Sequence, residues 1–534
     1  MKFTLTQLLV LGICHVMGAQ TIDPLWVRQD IANGSTLYGT PFVLVDSFHN
    51  TIVCGSDYHP GPLLSFLTTK YDPNGILLWQ RKFDLLGNDD IISAATDEIG
   101  SIYVGGNTSL NSINGTLPRF IVIKYDANGD TLWNYRFDGP TVGVNYITKV
   151  LLDSEQNLMV FGQYGDTVAL RGGLFVAKVS PDGQELWRAT YLDPVYGFVG
   201  LDVRWIGDRW VFWGRNYTTS AGYRFLAWQV DNGGVTLGTA ISGLDPNDFN
   251  TQYIDKQGSL FVGADRKYRV VKYTISGQTE WAYEKPLVPS SATTPARIYC
   301  IESNDASEVY VSGHVKVDSI GLQPITSKLS NSGNLFWEHS VSFNGIKSAA
   351  PLKNYWLSPN ELLVAGIIYF NFNSNFYEIY LAVYDDNGFL KGGITDLEGD
   401  YNFPTAITSD EAVIYVAGFA YPTIFTNPSK QILCKYALSD LVSTHTAPQP
   451  IDQLSIWPNP SAEWVRIQIP ETATTKGRRN LELTDVTGKV LRSQQIAAQD
   501  QFFDLSLEGL PAGTYFLIFK QNGLPTHTEM VIKP

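Results

Sequence analysis

From residue 24 to about residue 440, short apolar runs and turn residues alternate on a fixed schedule. A run ending in Gly recurs as TIVCG (51–55), IYVGG (102–106), LMVFG (158–162), WVFWG (210–214), SLFVG (259–263), VYVSG (309–313), LLVAG (362–366) and IYVAG (414–418), every 49 to 56 residues. A second pattern follows each. An apolar run leads into a turn and then into an alternating run with a Trp four places after the turn Gly: FLTTKYDPNGILLWQRKF (66–83), FIVIKYDANGDTLWNYRF (120–137), LFVAKVSPDGQELWRATY (174–191). Runs such as FIVI and LMVF are continuously apolar, as in strands covered on both faces. The turns place Gly where the backbone needs positive φ. Each unit reads as four short strands, with ISAATD, SIYVGG, FIVIKYD and TLWNYRF as the pattern. A four-stranded unit repeated about every 50 residues predicts a propeller blade.

Eight copies predict an all-β chain whose residues 20–443 form an eight-bladed β-propeller of four-stranded blades. Trp79, Trp133, Trp187, Trp281 and Trp337 share one place in the unit, where an indole can wedge between neighbouring sheets. Gly238 and Gly392 hold that place in two departing units. The last unit runs from QILCKYALSD straight into THTAPQP and lacks a fourth strand. The segment PLWVRQDI (24–31), which carries Trp26, is expected to supply it, closing the ring and removing an exposed edge. Closure would bring Cys54 and Cys434 into neighbouring blades, where a bridge between them is open.

Composition supports this reading. In 534 residues aromatics make up 13%, charged residues 17%, and there are 47 Gly, a β-rich, turn-rich profile. The chain's net charge is −14, and residues 20–453 alone carry −15, which disfavours nucleic acid as a partner. Residues 1–19 have one Lys, an apolar run and a small-residue end, the pattern of a signal peptide. No later apolar run is long enough to span a bilayer.

After a polar linker at 444–453 the pattern changes. LSIWPNPSAEWVRIQIP opens a unit of about 80 residues. In it, LELTDVTGKVLRSQQI reads as a hairpin, FDLSLEGLPAGTYFLIFK reads as a second pair turning at Ala512-Gly513, and HTEMVIKP ends the chain. Regular short strands suggest a small Ig-like β-sandwich. Trp457-Pro458-Asn459-Pro460, Asp485 with Gly488-Lys489, Leu510 through Tyr515, and Lys533 resemble the type IX secretion C-terminal sorting domain of Bacteroidota, over residues 454–534. The resemblance implies Pro458, Asn459, Pro460, Gly488, Lys489, Gly513, Tyr515 and Lys533 as sorting-signal residues. It implies the type IX secretion machinery as partner, and passage through the periplasm to a secreted or outer-surface location. Over residues 24–440 the repeats resemble the bacterial SBBP-type propeller families, which implies a fold and little else.

No catalytic or metal motif appears: no His-x-x-x-His, no Gly-x-Ser-x-Gly elbow, no P-loop and no dinucleotide fingerprint. Neither a cofactor nor a metal is expected. Asp46, Asp97, Asp153 and Asp255 recur at one turn of the unit, as turn formers do. The longer connections fall on the opposite face and carry aromatics, of which Tyr58, Tyr164, Tyr196, Tyr223, Tyr369, Phe372, Phe376, Tyr377 and Tyr421 are the candidate ligand-binding residues. Such platforms suit an extracellular protein or glycan, so the expected function is an exported binding or scaffold module. The alternative is a propeller hydrolase or lyase with a carboxylate-based site at the axial mouth.

Overall fold

The computed structural model describes residues 13–17, 23–30, 37–58, 64–84, 87–110, 119–137, 145–166, 171–193, 195–216, 222–245, 249–285, 296–317, 321–343, 348–371, 374–388, 390–394, 401–421, 430–438, 455–457, 463–468, 479–485, 489–496, 502–521 and 524–533. The chain divides into two compact units, Met1–Val442 and Ser443–Pro534.

The first unit is built from repeated four-stranded antiparallel sheets, consistent with a β-propeller. In the first, Leu37–Val45, Thr51–Tyr58, Leu64–Tyr71 and Leu77–Phe83 pair in chain order. The same order repeats through residues 87–137, 145–191, 198–241, 251–284 and 296–343; Ile13–Met17 adds a parallel strand to the outer edge of the last of these. The remaining strands form one eight-stranded sheet. Ser348–Ser358, Glu361–Asn371, Ser374–Asp385 and Leu390–Ile394 make one half, and Tyr401–Asp410, Val413–Tyr421, Lys430–Ala437 and Trp26–Asp30 the other. A single parallel pairing, Tyr377 with Tyr401, joins the halves.

The N-terminal strand lies where the repeat pattern requires it. Trp26–Asp30 runs antiparallel to the 430–437 strand, with Trp26 opposite Lys435 and Val27 opposite Cys434. The first strands of successive repeats contact one another in a cycle that returns from Tyr401–Asp410 to Leu37–Val45. At that return Val43, Val53 and Tyr71 share a buried core with Tyr415, Ala417 and Leu433. The cysteine bridge left open by the sequence is not formed: Cys54, Cys300 and Cys434 are free thiols. Cys54 packs toward Ile102 and Ile121 of the next sheet, whereas Cys434 packs toward Leu363 and Ile379 of the preceding one. The two side chains therefore point away from their shared seam.

Six seams among the described residues share one Trp contact. Lys70, buried in a third strand, donates to the Ala127 carbonyl of the next sheet at 3.1 Å, and Trp79 Nε1 donates to the same carbonyl at 3.0 Å. Lys124 and Trp133 meet the Pro181 carbonyl in the same way, at 3.0 and 2.9 Å. Trp187, Trp281 and Trp337 bond the Asn232, Asn331 and Asp386 carbonyls. At the closing seam Lys435 and Trp26 converge on the Pro73 carbonyl, at 2.7 and 3.4 Å, so the N-terminal strand brings the missing Trp. The indole also covers the next turn glycine: a Cβ at Gly183 (φ +85°) would sit 2.9 Å from the Trp133 ring. Trp133→Ala should cost about 3 kcal/mol in urea unfolding, because it opens a cavity and takes one of its two donors from the Pro181 carbonyl. An unchanged midpoint would remove Trp133 from the core.

The turn aspartates complete the clamp. Asp46 Oδ1 accepts from the Phe48 and Asn50 amides, as a turn former does, and Asp46 Oδ2 receives the Lys70 ammonium at 2.7 Å. The fourth repeat departs as a set: Gln229 replaces the Lys, Gly238 the Trp, and a tight turn at Gly207 the Asp. There Trp213 Nε1 donates instead to the Gly258 carbonyl at 2.9 Å.

One surface pair crosses the closing seam. His49 Nδ1 lies 2.7 Å from Asp410 Oδ2, and this hydrogen bond raises the imidazole above its ordinary 6.5. A His raised by its partner stabilises fully below the unfolded value and loses that contribution as pH rises through the folded one. The melting temperature should fall by a degree or so more between pH 5.5 and 8.5 in the parent than in Asp410→Asn, as suits an exposed pair. Parallel curves would dismiss the pair as a contributor.

In the second unit Ser455–Trp457, Trp464–Gln468 and Phe502–Ser506 form one sheet. The other follows the order Val490–Ile496, Arg479–Thr484, Gly513–Gln521, Leu524–Lys533. Val465, Ile467, Leu505 and Leu507 share one core with Leu481, Leu483, Leu517, Phe519 and Val531. The 479–496 hairpin forms as expected. The pair expected across Ala512-Gly513 does not: Phe502–Ser506 pairs with Trp464–Gln468, while Gly513–Gln521 lies in the other sheet. The Leu507–Leu510 turn carries the chain between sheets, which puts Leu505 and Leu517 on opposite sides of one core.

Candidate functional site

The repeated Gly lies inside most second strands, which run on past it, and it stands against a bulge in the first strand. Gly162 faces Ile147 in the register, and the first strand bulges immediately after, between Ile147 and Lys149. Gly106, Gly214, Gly313, Gly366 and Gly418 stand opposite equivalent bulges. The bulge brings a first-strand carbonyl against the glycine: a Cβ at Gly162 would lie 2.2 Å from the Tyr146 oxygen, and one at Gly366 2.3 Å from that of Ala350. Only Gly permits that approach.

The residue after the bulge varies between repeats: Ser93, Lys149, Asp202, Cys300, Lys353 and Ala406. Four of these, from Lys149 to Lys353, line a cavity of about 390 Å³ among the first strands of five consecutive repeats. Arg204, Tyr253, Glu302 and Asn354 complete its polar wall. The lining comes from the later part of four first strands and from the whole of Thr251–Ile254. Lys149 pairs with Asp202, and Arg204 Nη1 donates to the Ile254 carbonyl at 2.6 Å. Desolvation pushes Glu302 up to about 7. Burial pushes the Cys300 thiol up to about 12, and Cys300 Sγ donates to the Leu352 carbonyl at 3.0 Å. Sequence reasoning missed this site. Its signal was there, as a charged residue 12 or 13 places before the repeated Gly in three repeats, Lys149, Asp202 and Lys353.

The described aromatic candidates divide into four groups. Tyr164 is buried, in the core shared by the second and third sheets. Tyr196 and Tyr223 are half-buried. Arg224 lies 5.2 Å from the Tyr196 ring, Arg215 5.3 Å from the Tyr223 ring, and Phe249 5.9 Å from Tyr223. Tyr58 ends a second strand, and Phe376 lies within the 374–385 strand. Tyr369, Tyr377 and Tyr421 align in one cross-strand row through Tyr401: Tyr369 opposite Tyr377, Tyr377 beside Tyr401, Tyr401 opposite Tyr421. Phe372 lies outside the described residues. No group of three or more metal-ligating side chains gathers among the described residues. None of their helices is long and apolar enough to cross a membrane.

In the second unit, Lys533 Nζ donates to the carbonyls of Leu507 and Leu510, 2.8 Å each, and the Tyr515 hydroxyl to that of Pro511. Both hold the crossover between the sheets. Gly513 opens the strand that leaves it. Lys489 is exposed, and its amide donates to Asp485. Pro458, Asn459, Pro460 and Gly488 lie outside the described residues.

No curated protein matches the chain. Among solved structures, similar ones include the extracellular domain of a protein described as a one component system from B. thetaiotaomicron, with 11% identity over 93% of this chain and 81% of that one, at a TM-score of 0.27. The WD40 domain of SCAP from fission yeast is another, with 7% identity over 78% of this chain and 95% of that one, at 0.41. Both scores lie below 0.5, and the fold rests on the strand pairing described above. The sequence comparison is specific at the other end: residues 455–533 match the secretion system C-terminal sorting domain. The chain is therefore an exported protein, a ring of propeller-type sheets followed by a type IX sorting domain that marks it for the cell surface or the extracellular space.

Proposed function

We propose that the exported chain is a binding or scaffold module, an eight-bladed propeller that engages an extracellular protein or glycan through the face opposite its clamps. The two halves of the eight-stranded sheet count as separate blades, since one residue pair joins them. Residues 1–19 act as the leader, 20–443 as the propeller, 444–453 as a linker, and 454–534 as an Ig-like sorting sandwich recognised by the secretion machinery. Removal of the leader would leave the outer edge of the 296–343 sheet to its own Leu335–Phe343 strand.

The observation that carries the binding role is the row Tyr369, Tyr377, Tyr401, Tyr421, at strand ends beside the longer connections. Tyrosines supply large contact area at small entropic cost and hydrogen-bond at the rim. The short turns on the other face are already committed to the clamps. A protein and glycan array probed with the full chain tests this: a ligand whose binding is lost in Tyr377→Ala and Tyr421→Ala, with the fold intact, is the expected result. Silence across the array, or binding indifferent to both variants, would count against it.

A second reading is favoured by Glu302. A carboxyl held near 7 in a cavity, with Asp202 on the same wall, suits general acid–base work in a hydrolase or lyase. Turnover of a polysaccharide or peptide that disappears in Glu302→Gln would establish it over the binding role.

A further inference from the structure

We infer that the axial cavity is a binding site for a small carboxylated sugar, a hexuronic acid or a unit of similar size. A volume of about 390 Å³ lies in the range of small-molecule sites. It is also set inside a chain of net charge −14, yet its own wall is basic. Lys149, Arg204 and Lys353 face only Asp202 and Glu302. The Lys149–Asp202 pair neutralises itself. Lys353 is exposed to the cavity and has no ion-pair partner among the described residues. Arg204 spends one Nη1 bond on the Ile254 carbonyl. A ligand carboxylate meets the unpaired Lys353 ammonium there and the guanidinium donors that Arg204 has left after its bonds to Ile254 and Tyr253.

The same wall asks for hydroxyl groups. Asn354 lines the cavity, and both its Oδ1 and its Nδ2 are closed off from solvent with no partner among the described residues. A buried amide without partners is costly, and an amide turned toward the cavity would let one ligand hydroxyl both donate to its oxygen and accept from its nitrogen. Protonated Glu302 and the Tyr253 hydroxyl add further polar contacts on the adjoining strands. A simple dianion would use the cations and leave Asn354 unmet. A neutral sugar would do the reverse. A carboxylated sugar does both.

Glu302 also sets the expected pH response. The charged groups around it are Lys149, Asp202, Arg204 and Lys353, with Tyr253 and Tyr299 on the neighbouring walls. The Cys300 thiol, pushed up to about 12, keeps its proton throughout the neutral range. As pH rises through about 7, Glu302 gains a negative charge and opposes an anionic ligand. Binding therefore weakens from pH 6 to pH 8.

The inference is independent of the loop-face proposal, since a chain that captured nothing on an array would still bind here. Titration calorimetry on the full chain, with glucuronate and galacturonate against glucose and galactose at pH 6 and pH 8, tests it. At least one uronate should bind, its neutral counterpart about tenfold more weakly or worse. Lys353→Ala, at an exposed position, should weaken the uronate about tenfold at an unchanged melting temperature. Glu302→Gln should bind and lose the pH dependence. No heat from either uronate with folded protein, equal affinity for the neutral sugars, or an unaffected Lys353→Ala would overturn the assignment.

Discussion

Gly162→Ala should destabilise the first unit by about 3 kcal/mol or more, although it adds a single methyl group. The new Cβ would stand 2.2 Å from the Tyr146 carbonyl oxygen and 2.6 Å from the Phe175 ring. Phe175 is fully buried, in a core with Phe120, Val160 and Ala177, and has nowhere to turn. The carbonyl belongs to the bulged first strand, so it can retreat only by undoing the bulge that sets Lys149 on the cavity wall. Gly238→Ala is the internal control. Nothing lies within 4 Å of the added Cβ, and it should fall within about 0.5 kcal/mol of the parent. Urea unfolding followed by tryptophan fluorescence reads both; equal midpoints would show that the bulge yields and the glycine has no steric role.

Lys70→Met should cost about 3–5 kcal/mol at neutral pH, the usual consequence of leaving a buried charge without its partner. The Lys70 and Asp46 side chains are 2% and 0% exposed, so water cannot replace the lost contact. The Ala127 carbonyl would lose one of its two donors at the same time. Burial by itself would raise Asp46, but hydrogen bonds from Lys70 and Asn50 outweigh it and hold the carboxyl below its usual value. A depressed carboxylate contributes stability above its unfolded value and loses it as pH falls through the folded one. In the variant burial is opposed only by the hydrogen bonds from Phe48 and Asn50, so Asp46 takes up a proton at higher pH than in the parent. The deficit of Lys70→Met should therefore shrink between pH 7 and pH 4.5. A deficit that stays constant would mean that Lys70 acts through packing of its stem alone.

Much of the fold was legible because a repeat writes its physics several times. The continuous apolar runs gave the third strands, the turn glycines the hairpins, and PLWVRQDI the strand that pairs with residues 430–437. The periodic Trp was read as a wedge. That it and the periodic Lys share one carbonyl is a tertiary fact, visible in sequence only as their joint absence at Gln229 and Gly238. The repeated Gly looked like strand punctuation. Its partner is a carbonyl in another strand, which no local pattern reveals. The C-terminal crossover was misread for a related reason: Phe502–Ser506 and Gly513–Gln521 are adjacent in sequence with a turn between them, and only the common core decides that they face each other from different sheets. The axial cavity is faint in the sequence because its charged residues, Lys149, Asp202 and Lys353, recur in three repeats and change sign between them, so periodicity averages them away. The loop aromatics were legible as a composition and not as a surface. Tyr164 stands two places after its repeat Gly, where Tyr58, Tyr369 and Tyr421 stand three after theirs, and it is buried with its ring against Gly173 of the next strand.

Closure of the ring by the N-terminal strand is what the rest depends on, and a single cross-link reads it. Val27 stands opposite Cys434 and packs against the same core. Mild oxidation of Val27→Cys, followed by peptide mapping without reduction, should join position 27 to Cys434 within one molecule. A thiol at position 27 that stays free, or that links only between molecules while the protein is folded, would contradict the closed ring.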